Sequence, residues 1–249
     1  MRGAAKPISL ARRFIIDFMH ASVPHVAIKR TMNLERLVKA RALQDNGPGW
    51  LPIIVKAFCI VARRERWLRT FYIAWPWPHF YEVPKSVAMI AIVRDDFERD
   101  ATFILRIGAA DEYSLTDLEA IIQRGSNLPL EDQPSMTRLL RLTRLPLPLR
   151  RLIWTVGLNI GRQRANYFGT FGVTSLVALG SETVAARTPG PAFITYGFVR
   201  SDYTMELLLH WDHRIYDGVL AARALRDLED VLNTVIAEEL LAGASPNSQ

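Results

Sequence analysis

The chain has 249 residues, 49% of them hydrophobic and 22% charged, which is enough length and apolar content to bury a core and excludes a disordered polymer. No apolar run reaches the roughly 20 residues of a membrane-spanning helix, because residues 51–62 are interrupted by Lys56 and the run at 173–180 is short. The net charge of +6 suits acidic partners such as a phosphorylated cofactor, an acidic carrier protein or anionic lipid. Without zinc-finger spacing, an RNA-binding aromatic motif or a groove-reading basic helix, nucleic acid is not expected.

In chain order, residues 9–19 carry Leu10, Phe14, Ile15, Phe18 and Met19 at helical spacing, which predicts an amphipathic helix. Arg12, Arg13 and Asp17 break any secretory leader there, so a cytoplasmic protein is expected, peripheral to the inner face of the membrane where its basic surface meets lipid. After Pro24 the alternation HVAIKRTMN predicts a strand, residues 34–43 predict a helix stopped by DNGPG, and a second helix is expected over 52–69. The prolines among Trp75, Pro76, Trp77 and Pro78 hold their predecessors extended, so 72–83 reads as loop or edge strand. Its tryptophans read as simple packing, or as the wall of a substrate pocket. Strands are predicted at 86–93 and 101–107, and a helix over 115–124 opened by Ser114 or Thr116. Further strands follow at 170–179, 192–199 and 204–210, and a helix over 218–241 closes the chain. This mixed order is an α+β arrangement. Residues 1–241 read as a single domain and 242–249 as a disordered tail.

The sharpest local feature is Asp212-His213-Arg214-Ile215-Tyr216-Asp217-Gly218, at the junction of a predicted strand and the last helix. An imidazole titrates near neutrality, so His213 suits a general base acting on a thiol, hydroxyl or amine. Asp217 suits a permanent negative charge that fixes an arginine and through it the local backbone, and Gly218 permits a tight turn into the helix. His210 and His213 lie three apart but no third ligand completes a set, so no metal is expected. His20 and His25 flank a loop and read as ordinary, and Cys59, inside IIVKAFCIVA, reads as a buried structural thiol.

The motif resembles the D-H-R-x-x-D-G signature of the acyltransferase (E2) catalytic domains of 2-oxoacid dehydrogenase complexes, which share their fold with chloramphenicol acetyltransferase. Upstream, Gly169-Thr170-Phe171-Gly172-Val173-Thr174-Ser175-Leu176 is similar to that family's G-T-F-T-I-S-N-L. Val23-Pro24-His25 resembles its I-P-H opening, and Ile54-Val55-Lys56-Ala57 its I-I-K-A. The resemblance implies a mixed sheet flanked by helices, assembling as a trimer, with the active site shared between subunits. His213 is then the general base, Thr174 from the adjacent subunit the hydrogen-bond donor to the oxyanion, with Ser175 as the alternative one residue on. It further implies that Asp217 is tied to an arginine near the N-terminus, with Arg12 preferred to Arg13, and that Arg214 and Gly218 support the site. The acyl donor is expected to be acyl-CoA or an acyl carrier protein, with no bound cofactor and cofactor-binding residues unassigned.

Three departures qualify that picture. No lipoyl or subunit-binding domain is recognised ahead of the catalytic region, which favours a stand-alone acyltransferase over the core of a dehydrogenase complex. The family's G-L-x-x-P segment is replaced by DATFILRI, and the gap from Thr174 to His213 is shorter than usual. An apparent insertion at 136–164 holds seven arginines, at 138, 141, 144, 150, 151, 162 and 164, and no acid. Such a stretch suits an anionic membrane surface, an acidic acyl carrier protein or coenzyme A phosphates, or a solvated arm packed on the trimer. Three functions therefore stand in order: a stand-alone acyl-thioester-dependent acyltransferase, a dihydrolipoamide acyltransferase core, and a non-catalytic E2-like trimeric scaffold.

Overall fold

A computed structural model of the chain describes residues 4–6, 25–44, 47–92, 103–129, 132, 137, 145–174, 176–177, 180–181 and 188–244. The strands are β1 (Ala4–Lys6), β2 (His25–Asn33), β3 (Thr70–Ile73), β4 (His79–Glu82), β5 (Val87–Ile92), β6 (Phe103–Gly108), β7 (Phe171–Thr174), β8 (Ala192–Val199) and β9 (Thr204–Asp212). The helices are α1 (Glu35–Ala42), α2 (Trp50–Arg64), α3 (Leu115–Asn127), α4 (Leu147–Leu158), α5 (Gly161–Phe168), α6 (Gly218–Val231) and α7 (Ala237–Ala244). A π-helical turn at Leu232–Ile236 joins α6 to α7.

Six strands form one mixed sheet in the order β2-β9-β8-β7-β5-β6, antiparallel except where β7 runs parallel to β5 and β8. One face carries Ile194, Leu207, Leu209 and Trp211 into the core, as strict alternation along each strand requires. Against that core packs α2, whose residues from Pro52 to Ala62 are all buried. The polar exception, Lys56, meets Glu239 Oε2 at 2.5 Å, while Glu239 Oε1 accepts a 2.8 Å hydrogen bond from the Leu115 amide and so serves the first turn of α3. Ser114 caps the same helix by accepting from the Asp117 amide.

The structure corrects several expectations. Helix α2 stops at Arg64, because Glu65 is extended and Arg66–Arg69 forms a separate 3-10 turn. Arg69 is buried there, and its guanidinium satisfies the carbonyls of Ala62, Val83 and Pro84. The proline-rich stretch is, as expected, a loop next to an edge strand: it is the tip of a β3-β4 hairpin, with β3 at the edge of a second sheet, β1-β4-β3. Phe71, Ile73 and Val83 of this region build a small core with Ala165. Trp75 and Trp77 at the tip are each 66% exposed, so neither is packing. Of the strand expected at 170–179, Phe171–Thr174 is strand among the described residues. The last helix continues to Ala244, three residues into the segment expected to be disordered. Among the described residues, the arginine-rich insertion holds α4 and the first half of α5. The helix expected over 9–19, with Arg12 and Arg13, lies outside the described residues, as do His20, Ser175 and three of the seven insertion arginines, Arg138, Arg141 and Arg144. None of the described helices is long and apolar enough to cross a membrane.

Candidate active site

His213 sits in the tight turn between β9 and α6. The turn is held from both sides by burial: Trp211 is 3% and Tyr216 0% exposed, and the Trp211 indole donates to the Tyr216 carbonyl at 2.9 Å. The Ile215 amide closes the turn on the Asp212 carbonyl at 2.9 Å. The His213 ring stacks on Trp211 with centroids 5.8 Å apart, and its Nδ1 lies 3.7 Å from Asp217 Oδ1, an ion-pair distance longer than a hydrogen bond. Asp217 also starts α6, its carbonyl accepting from the amides of Leu220 and Ala221.

Within the motif Arg214 binds Asp212: Nε donates to Oδ1 at 2.8 Å and a terminal nitrogen to Oδ2 at 2.6 Å, and the Arg214 amide adds a third hydrogen bond. Asp212 is 1% exposed, so this fork replaces the water its carboxylate has lost. Arg214 in turn lies over the Tyr72 ring at 4.7 Å.

Gly218 has no left-handed backbone, and a side chain there meets nothing within 4 Å in this chain. A glycine that the backbone needs is Gly169, with φ of 64°, where a Cβ would fall 2.6 Å from the Val87 carbonyl oxygen and 2.5 Å from Met89 Cγ. Beside it, buried Thr170 accepts from the Val87 amide through Oγ1 at 2.9 Å, locking β7 to β5.

Thr174 is not near His213 within one chain. The register aligns Phe171, Ala192 and Trp211 across three strands; Thr174 lies three residues beyond in one direction and His213 two in the other. At about 3.3 Å per residue the two are more than about 15 Å apart along the sheet.

Two further residues join the site. His25, expected to be ordinary, pairs with Asp212 at the start of β2. Arg164, predicted only as one charge of a basic stretch, donates at 2.8 Å to the carbonyls of Pro189 and Tyr72. Burial lowers its pKa to about 10, with Asp212 raising it and Arg214 lowering it. His25, Tyr72, Arg164 and Arg214 wall a cavity of about 480 Å³. A second, apolar cavity of about 470 Å³ lies between α4 and α5. His210 points away from the core face of β9 and is buried; burial first, then His25, lowers its pKa.

This sheet order, with the His213 turn at its edge, has clear structural counterparts. A probable dihydrolipoamide acetyltransferase from Listeria monocytogenes is 20% identical, with a TM-score of 0.58 over 98% of this chain and 97% of its own. The fold is that of the dihydrolipoamide acetyltransferase cores. The Azotobacter vinelandii dihydrolipoamide acetyltransferase aligns at 18% identity and TM-score 0.59 over 93% of each chain; a serine, a histidine and an asparagine four residues after that histidine have been investigated in its catalytic mechanism. A chloramphenicol acetyltransferase shares the fold at 14% identity and TM-score 0.55, over 92% of this chain and all of its own. No protein-family model matches the chain. No curated protein sequence matches it.

Proposed function

We propose that the chain is an acyltransferase that moves an acyl group from a thioester, on coenzyme A or an acyl carrier protein, to a thiol, hydroxyl or amine. The observation that carries this reading is His213 held at the strand-to-helix corner with Asp217 four residues on. The investigated histidine and asparagine of the Azotobacter acetyltransferase have the same spacing. Asp217 Oδ1 lies on the Nδ1 side of the ring, so Nε2 is the nitrogen that takes the acceptor's proton. The acceptor then adds to the thioester carbonyl carbon, and the carbonyl electron pair moves to oxygen. Thr174 of a neighbouring copy donates a hydrogen bond to that oxyanion. Collapse re-forms the C=O bond and breaks the C–S bond, and the proton on His213 passes to the departing thiolate. The separation of Thr174 from His213 within one chain supports a site completed in a homotrimer.

The test is thiol release from acetyl-CoA and longer acyl-CoA with a panel of acceptors. Substituting His213→Ala should lower kcat by about a thousandfold; no turnover with any acceptor, or an unchanged rate in the variant, overturns the reading. A second reading, transfer to or from dihydrolipoamide, is favoured by the end-to-end likeness to dihydrolipoamide acetyltransferases, and dihydrolipoamide in the same panel separates the two. For the arginine-rich segment, the exposed aliphatic side chains of α4 support contact with lipid over an acidic carrier protein.

A further inference from the structure

Two cavities adjoin helix α5 and share Leu158 as a wall. On one side is the apolar groove, walled by Leu152, Trp154 and Val156 of α4 and by Tyr167 and Phe168 of α5. Leu149, Leu152, Ile153 and Val156 recur at helical spacing along α4, and Leu149, Leu152 and Val156 are 45%, 59% and 44% exposed, an aliphatic stripe on a surface helix. On the other side is the cavity of His25, Arg164 and Arg214, which begins one residue from His213.

The charges in that second cavity do not balance among the described residues. Arg214 is matched by Asp212. Arg164 donates to two backbone carbonyls, which fix its direction without neutralising it. With its pKa lowered only to about 10, Arg164 stays charged at neutral pH, and a half-buried cation of this kind is stabilised by an anion placed against it. Residues 133–181 contain no acid at all, so the helices bearing both cavities bring no carboxylate of their own.

We infer that the two cavities form one subsite for an anionic amphiphile, its aliphatic chain in the groove between α4 and α5 and its phosphate or carboxylate head on Arg164, in the cavity that Arg214 also lines. Each cavity is of small-ligand size. The inference rests on the acyltransferase reading and narrows it: the substrate presented to His213 is lipid-like, with an acidic head.

The experiment is isothermal titration of the full chain with dodecyl phosphate and with dodecanoate below their micelle concentrations. Dodecyl maltoside serves as the neutral-headed control and inorganic phosphate as the head without a tail. At least one anionic amphiphile should bind about tenfold or more tighter than both controls, and the tighter of the two identifies the head. Arg164→Gln and Val156→Asp should each weaken binding by about tenfold. Val156 is exposed, so its variant keeps the test informative where Arg164→Gln fails to fold. Equal binding of dodecyl maltoside, or unchanged affinity in Val156→Asp, overturns the subsite. Turnover measured alongside separates the two claims. Amphiphile binding without turnover of any thioester overturns the acyltransferase reading, whereas turnover of neutral acceptors without amphiphile binding overturns the subsite alone.

Discussion

The motif residues divide their work by burial. Asp212 is almost wholly enclosed and Arg214 shields it, while His213 and Asp217 keep access to solvent. Replacing Arg214 with Leu strands a buried carboxylate, and urea unfolding should show a loss of about 3 kcal/mol. His210 supplies a pH dependence of stability. Its folded pKa lies below the ordinary 6.5, so as pH falls through that value the unfolded chain binds a proton that the folded chain resists. Stability should therefore fall as pH drops from 7.5 to 5.5, and less steeply in His210→Gln, measured by urea melts at both ends. Cys59 is fully buried and its thiol is pushed up to about 12, chiefly by burial, so iodoacetamide at pH 8 should label it only in denaturant. The closeness of His213 to Asp217 was legible in the sequence because their relation spans four residues of one turn. Arg164 was not, because its position depends on carbonyls 25 and 92 residues away, and nothing in a run of arginines marks the one that folds inward.

At the scale of elements, the strands of the large sheet were readable from alternation and β-branched content, down to the limits of His25–Asn33 and Ala192–Val199. Where the chain turns was less so. The glycine of the motif, Gly218, drew attention because it precedes a helix, yet the conformational demand lies at Gly169, where the chain leaves α5 for β7 against β5. Gly169→Ala should destabilise the fold by more than about 2 kcal/mol, combining a left-handed backbone with a clash. Gly218→Ala should stay within about 0.5 kcal/mol of the parent. Lys56 similarly looked like an interruption of an apolar helix, and its partner Glu239 lies 183 residues on. Glu239→Ala leaves that ammonium unpaired and the α3 amide unbonded, and should cost about 2 kcal/mol in urea unfolding.

For the whole molecule, the sheet determines what one copy is able to do alone. It places His213 off one end of the strands and Thr174 toward the other, so on the proposed reading a single chain would hold the base without the oxyanion donor that resemblance assigns to it. Periodicity carries no information about such a partnership, and only the likeness of GTFGVTSL to a known motif pointed to Thr174. The measurement that tests the shared site most directly is complementation. His213→Ala and Thr174→Val should each be inactive alone. Mixed by co-expression they should recover about a quarter of wild-type turnover, because one interface in four then joins an intact His213 to an intact Thr174. Mixed assemblies as inactive as their parents, or full activity in Thr174→Val alone, would contradict it.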